Sequence, residues 1–141
     1  MEPWWFCGIA VSGPKADTHM IPKRILVADD SDTVRRVICT CLTEQFTVCG
    51  DAVDGQDVIE KAWKLKPDLV LMDLAMPRTN GIVAASVLKD MMPNVRIVLF
   101  TMYSKAVRRT FSPKGIAVDA VIDKADGLIG LLDCIQSLLP A

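Results

Sequence analysis

Five short apolar runs, each cut off by polar or turn-forming residues, alternate along this chain with longer stretches whose apolar residues recur at helical spacing. No other feature constrains the fold as tightly. Ile25–Ala28 reads as a short buried strand that breaks off in Asp29-Asp30. Val34, Val37, Ile38, Cys41 and Leu42 then mark a helix, and Ser31 or Asp32 can cap it. Thr47–Val53 is a weaker second strand, interrupted by Gly50. Asp54-Gly55 predicts a turn, and Val58, Ile59, Ala62 and Leu65 predict a helix that stops at Pro67. Leu69–Met72 is a third strand, ending at Asp73, and residues 77–81 (PRTNG) read as a loop. Val83, Ala84, Val87, Leu88 and Met91 describe a third helix, stopped by Pro93. Val95–Phe100 is a fourth strand, ending at Thr101. A short helix from about Lys105 meets Ser112-Pro113 and Gly115. Ala120–Ile122 is a fifth strand leading into Asp123-Lys124, and Leu128, Leu131, Leu132, Ile135, Leu138 and Leu139 stripe a last helix.

Short all-apolar strands separated by amphipathic helices imply an α/β fold, with a parallel sheet covered on both faces and right-handed crossovers. The 141 residues suffice for one domain with one real core. A composition 51% hydrophobic and 23% charged excludes a disordered chain. A net charge of −1 gives no general pull toward nucleic acid or an anionic membrane, and no apolar run is long enough to cross a bilayer. Five cysteines and a single histidine, His19, make a poor zinc set; reduced, mostly buried thiols in a cytoplasmic protein are the expectation. Residues 4–11 (WWFCGIAV) are apolar but short and lack a preceding basic stretch, so they make a poor signal peptide. Residues 12–19 (SGPKADTH) read as a linker, and Met20 is a candidate natural start. The expected organisation is a flexible extension over residues 1–20 and one domain over residues 21–141; a docking or membrane-touching role for the extension is the alternative.

Ligands of open parallel sheets bind at the carboxyl ends of the strands. Here strand one ends in Asp29-Asp30, strand three in Asp73, strand four in Thr101 and strand five in Lys124, so these side chains should meet at one edge. Packed carboxylates raise one another's pKa values unless a cation joins them. Oxygen ligands without His or Cys favour a hard ion, Mg²⁺ above all. Cation, lysine and hydroxyl together suit the spread negative charge of a transferring phosphoryl group, and a carboxylate among them can be the nucleophile. Asp32, Asp51 and Asp54 are read instead as caps or turn residues.

The residues that carry this arrangement resemble the receiver domain of two-component response regulators: RILVADDS at 24–31, DLVLMDLAMPRTNG at 68–81, VLFTMY at 98–103 and VIDKAD at 121–126. The resemblance runs from Arg24 to about Leu139. It implies a flavodoxin-like (βα)5 three-layer sandwich with strand order 2-1-3-4-5. It also implies that Asp73 is the phosphoacceptor, and that Asp29, Asp30, Asp73 and the backbone carbonyl of Ala75 hold Mg²⁺. Lys124 would pair with the phosphate, and Thr101 would move toward it. The phosphoryl donor would be a sensor histidine kinase or a histidine phosphotransfer protein. The surface of the fourth helix, fifth strand and fifth helix would signal to a downstream effector, with homodimers common among such domains and no direct nucleic-acid contact from this chain. Three positions depart from the pattern: Val121 where an aromatic is usual, Met102 where a small residue is usual, and Ala125 where proline is common. Met102 could narrow access to Asp73. A cis peptide before Ala125 would be costly without proline, and Tyr103 is an aromatic near the site mouth.

Two rival chemistries share parts of this pattern. A haloacid-dehalogenase-like phosphatase would use Asp30 as nucleophile and Asp32 as acid/base in the short D-x-D-x-[TV] piece at 30–34, but leaves Asp73 and Met76-Pro77 unexplained. A flavodoxin would need a Ser/Thr/Gly-rich phosphate loop after strand one, where this chain has two acids. A receiver-like interaction module that is never phosphorylated keeps the fold without the chemistry.

Overall fold

A computed structural model of the chain describes residues 22–110 and 117–139. The extension expected over residues 1–20 and the turn expected at Ser112–Gly115 lie outside the described residues. The elements run β1 (Arg24–Ala28), α1 (Asp32–Leu42), β2 (Thr47–Ala52), α2 (Gly55–Leu65), β3 (Leu69–Met72), α3 (Gly81–Met91), β4 (Arg96–Thr101), α4 (Ser104–Thr110) and β5 (Ala120–Asp123). A 3₁₀ turn (Lys124–Asp126) leads into α5 (Gly127–Leu138). The five strands form one parallel sheet in the order β2-β1-β3-β4-β5.

Side chains alternate across a strand, and this splits the core in two. Leu26, Ala28, Val70, Met72, Ile97 and Leu99 point to one face, where Val58 and Ala62 of α2 and Ala84, Ala85 and Leu88 of α3 cover them. Ile25, Val27, Leu69, Leu71, Val98 and Phe100 point to the other, against Ile38 and Leu42 of α1 and Leu131 and Ile135 of α5. Both faces of the central strands are therefore dry, which is why they read as unbroken apolar runs rather than alternating ones.

The helix boundaries follow local chemistry. Ser31 caps α1 by accepting the Val34 N–H, Asp54 caps α2 through the Asp57 N–H, and Asn80 caps α3 through the Val83 N–H. Lys66 takes a left-handed conformation after α2, and Pro67 ends the helix. The expected turn at Asp54-Gly55 is thus the start of a helix, and Gly81 is a helical residue rather than loop. Gly50 does not end β2; a Cβ there would meet Leu65 Cδ1 at 2.8 Å, so glycine lets α2 lie close to the edge strand. The β1–β2 register also shifts between Ile25 and Leu26, a bulge beside that glycine. No helix among the described residues is long and apolar enough to cross a membrane.

Candidate functional site at the carboxyl edge of the sheet

β1 and β3 are neighbours in the sheet and run in the same direction. Their carboxyl ends therefore deliver Asp29, Asp30 and Asp73 to one place, where one carboxylate oxygen from each lies within 4.8 Å of the others. Asp29 is 2% exposed and Asp73 8%, whereas Asp30 is exposed. The Asp29 N–H closes on the Ala52 carbonyl at 3.1 Å and the Asp73 N–H on the Ala28 carbonyl at 3.0 Å, so both acids are fixed by the last rungs of the ladder.

Lys124 reaches across from the end of β5. Its Nζ lies 2.9 Å from Asp29 Oδ2 and 3.1 Å from Asp73 Oδ2, donating a hydrogen bond to each. Burial pushes the Asp73 carboxyl above the ordinary carboxylate range; the Lys124 charge and hydrogen bond and an N–H from Ala75 pull it back, while Asp29 adds to the rise. Burial also works against the charged form of Lys124, but the hydrogen bonds and charges of Asp29 and Asp73 win and hold its pKa above the usual lysine value. The group thus has three carboxylates and one ammonium, an excess of negative charge around two buried acids.

Thr101 stands at the end of β4, fully buried, and its Oγ1 accepts the Tyr103 N–H at 3.1 Å. It makes no hydrogen bond to Asp73 among the described residues; its register neighbour is Asp123 on β5. Met102 is 64% exposed and Tyr103 is exposed as well. The bulk expected near the approach to Asp73 is thus largely solvent-exposed. Val121 is half-buried against the core under α2 and α3. All peptide bonds among the described residues are trans.

The loop from Leu74 to Asn80 is held from the side by α2. Arg78, at φ 69°, places Nε 3.2 Å from Oδ2 of the buried Asp54. A Cβ on Gly55 would sit 2.3 Å from the Thr79 carbonyl oxygen, so the start of α2 touches the loop backbone directly. Asp54 is a cap, as its local sequence implies. Asp51 and Asp32 are not simply caps or turn residues: both are ion-pair partners of Arg35, at 2.7 and 2.6 Å. Asp32 is 74% exposed at its side chain and stands apart from the acidic group, so the arrangement needed for an Asp30/Asp32 phosphatase is absent from the described residues. The described cysteines are half-buried free thiols whose pKa values burial raises, in keeping with inert packing residues.

Residues 25–128 match the response regulator receiver domain family. The chain belongs to that family. Relatives include the response regulator VraR of Staphylococcus saprophyticus, 41% identical over 85 residues, covering 59% of this chain and 41% of that protein. The transcriptional regulator PdtaR of Mycobacterium tuberculosis is 39% identical over 99 residues, covering 67% of this chain and 47% of that protein. The chain thus spans less than half the length of these curated relatives. Among solved structures, the response regulator TrrA of Thermotoga maritima, crystallised with Mg²⁺ and BeF, superposes with a TM-score of 0.75 at 29% identity, over 83% of this chain and 99% of that one. The response regulator domain of CheB from the same organism gives a TM-score of 0.73 at 26% identity, over 86% and 98%. The receiver fold expected from the sequence, with its 2-1-3-4-5 sheet, is the fold observed, and the chain is a signalling module of two-component systems.

Three connections at this site escaped the sequence reading: the Arg35 contacts to β1, β2 and α1, the Ser104–Asp123 hydrogen bond, and the Gly55–Thr79 contact. Only the first left a local signal, the three-residue spacing of Asp32 and Arg35.

Proposed function

We propose that Asp73 accepts a phosphoryl group and that Asp29, Asp30, Asp73 and the Ala75 backbone carbonyl hold the Mg²⁺ that the transfer requires. The observation that carries this reading is the shared contact of Lys124 with Asp29 and Asp73 inside a group of three carboxylates. The donor set fits a hard divalent cation: all oxygen, two strand ends, and more negative charge than one lysine balances. When bound, Mg²⁺ offsets charge on the phosphoryl oxygens. Asp73 supplies the nucleophile: one carboxylate oxygen forms the new O–P bond as the donor's N–P bond breaks, and the leaving imidazole takes a proton from solvent. Lys124, already facing Asp73, offers its ammonium to the transferred group in place of the Asp73 carboxylate charge. Thr101, whose hydroxyl proton is not committed by the bond it accepts from Tyr103, donates to a phosphoryl oxygen and draws the start of α4 with it.

The donor in this reading is a sensor histidine kinase or a histidine phosphotransfer protein, and the receiver of the signal is an effector protein or domain. A cytoplasmic location follows from the same reading. The receiver unit begins near residue 21, with residues 1–20 an extension before it in the sequence, and self-association of receiver units is part of its repertoire.

The test is incubation with Mg²⁺ and acetyl phosphate, read by intact mass. One phosphoryl adduct on the wild type, absent from Asp73→Asn, supports the assignment. No adduct on the wild type favours a receiver-like module without the chemistry. An adduct that survives Asp73→Asn but is lost in Asp30→Asn overturns the assignment.

A further inference from the structure

The Arg35 side chain is 12% exposed, low for an arginine on the first turn of a surface helix. It is held at three of its nitrogens by three different residues. Nε donates to Asp51 Oδ2 on β2 at 2.7 Å, Nη2 to Asp32 Oδ1 on α1 at 2.6 Å, and Nη1 to the Asp29 carbonyl at the end of β1 at 2.8 Å. A planar guanidinium tied in this way has little freedom left.

The last of these bonds matters most, because the Asp29 carbonyl belongs to the peptide that joins Asp29 to Asp30. Asp29 is fixed at every other polar atom: its N–H by the Ala52 carbonyl, Oδ1 by the Ser31 N–H at 2.9 Å, and Oδ2 by Lys124. Asp30 is exposed, and among the described residues its side chain makes no hydrogen bond. What aims Asp30 is therefore the peptide plane before it, and Arg35 holds that plane.

We propose that Arg35 is a positioning residue for the cation site: by clamping the Asp29 carbonyl it sets the direction in which Asp30 projects, and so the affinity for a divalent cation. This rests on the reading that the three carboxylates hold Mg²⁺. Arg35 touches neither the cation nor the phosphoryl group. Its charge is matched locally by Asp32 and Asp51, so its effect comes through geometry. The sign separates the two causes. If only charge mattered, removing a cation from beside three carboxylates would tighten Mg²⁺ binding. Loss of the clamp weakens it instead, on the scale of outer-shell partners of metal ligands, about ten- to hundred-fold.

The experiment is a Mg²⁺ titration of the full chain without phosphodonor, followed by the backbone amide signals of Asp29, Asp30 and Asp73 in two-dimensional NMR. Arg35→Ala is compared with Arg35→Lys, which keeps the charge and much of the stem but cannot span three acceptors. Arg24→Ala serves as control: that arginine bonds the Leu65 carbonyl at 2.6 Å at the opposite end of β1, so its loss perturbs the same strand away from the site. Expected is a dissociation constant about ten-fold or more higher in both Arg35 variants and unchanged in Arg24→Ala. If Arg35→Ala is too unstable to titrate, Arg35→Lys decides alone. Unchanged or tighter binding in the Arg35 variants, or equal weakening in Arg24→Ala, overturns the role of Arg35 while leaving the cation site standing. A wild type that binds no Mg²⁺ overturns the cation site itself, and the role of Arg35 falls with it.

Discussion

The Ser104 hydroxyl donates a 2.6 Å hydrogen bond to Oδ2 of Asp123, the residue immediately before Lys124. Ser104 is the first residue of α4 and is buried; Oδ1 of the same Asp123 accepts the Ala125 N–H at 2.8 Å. One carboxylate therefore ties the start of α4 to the turn that carries the site lysine, beside a β5 position where Val121 replaces the usual aromatic. The Ser104 and Ala125 donors hold the Asp123 carboxyl below the usual range. Ser104→Ala should leave the fold intact but loosen this end of α4. Amide exchange of the α4 residues should quicken by about three- to ten-fold, the scale of one net hydrogen bond. Unchanged exchange rates would mean that Val107 and the loop alone hold the helix in place.

Asp73 is expected to cost stability in return for its chemistry. Its folded pKa is raised by burial, so the folded state holds the Asp73 proton more tightly than the unfolded chain does. Its ionisation therefore opposes folding above the folded pKa, and this penalty disappears below the unfolded value near ~3.9. Asp73→Asn should be more stable than the wild type at pH 7 in the absence of divalent cation. The gap should close as the pH falls toward 4. Urea unfolding at both pH values checks it, and a destabilised variant at pH 7 would show that the Lys124 contact outweighs desolvation.

Asp119 behaves in the opposite sense. Burial alone would raise its pKa, but the Ile97 N–H at 2.8 Å, Lys89 at 3.0 Å and Arg96 at 3.4 Å together lower it. A depressed folded pKa contributes stability above the unfolded value, lost as the pH falls through the folded one. Asp119→Asn should lose about 1–2 kcal/mol at pH 7, the scale of a charge-assisted hydrogen bond. The difference from the wild type should shrink below about pH 4. Equal losses at pH 7 and pH 3 would assign the effect to packing rather than charge.

Two glycine-to-alanine changes should move stability in opposite directions. At Gly55 the new Cβ would meet the Thr79 carbonyl oxygen at 2.3 Å, a backbone atom that cannot swing aside. A loss of about 1–3 kcal/mol is expected, with shifts in the amide signals of the Leu74–Asn80 loop. Gly130, inside α5, offers the new methyl only ordinary contact with Asp126 Cβ at 3.5 Å. There alanine should gain about 0.5–1 kcal/mol from helix propensity. Thermal unfolding of the two variants reads both signs.

By itself the sequence determined the layered α/β fold and the membership of the acidic edge. Period and length of the apolar runs decide strand or helix locally, and an abrupt change from apolar to acidic residues marks where a buried strand leaves the core. That information lies within a few neighbouring residues, which is why Asp29, Asp30, Asp73, Thr101 and Lys124 could be placed on one edge from element boundaries. The precise starts of α2 and α3 were less legible, since Asp-Gly and Asn-Gly suit a turn and a helix cap equally well until packing chooses between them. Only the tertiary structure decided that Lys124 faces Asp29 and Asp73, that Met102 is exposed, and that Arg35 bonds the Asp29 carbonyl and Asp51 of β2 as well as Asp32. Apart from the Asp32–Arg35 pair, which lies within α1 at a three-residue spacing, these arrangements join different parts of the fold. Their distances depend on how sheet and helices pack, and no local pattern of residues encodes that spacing.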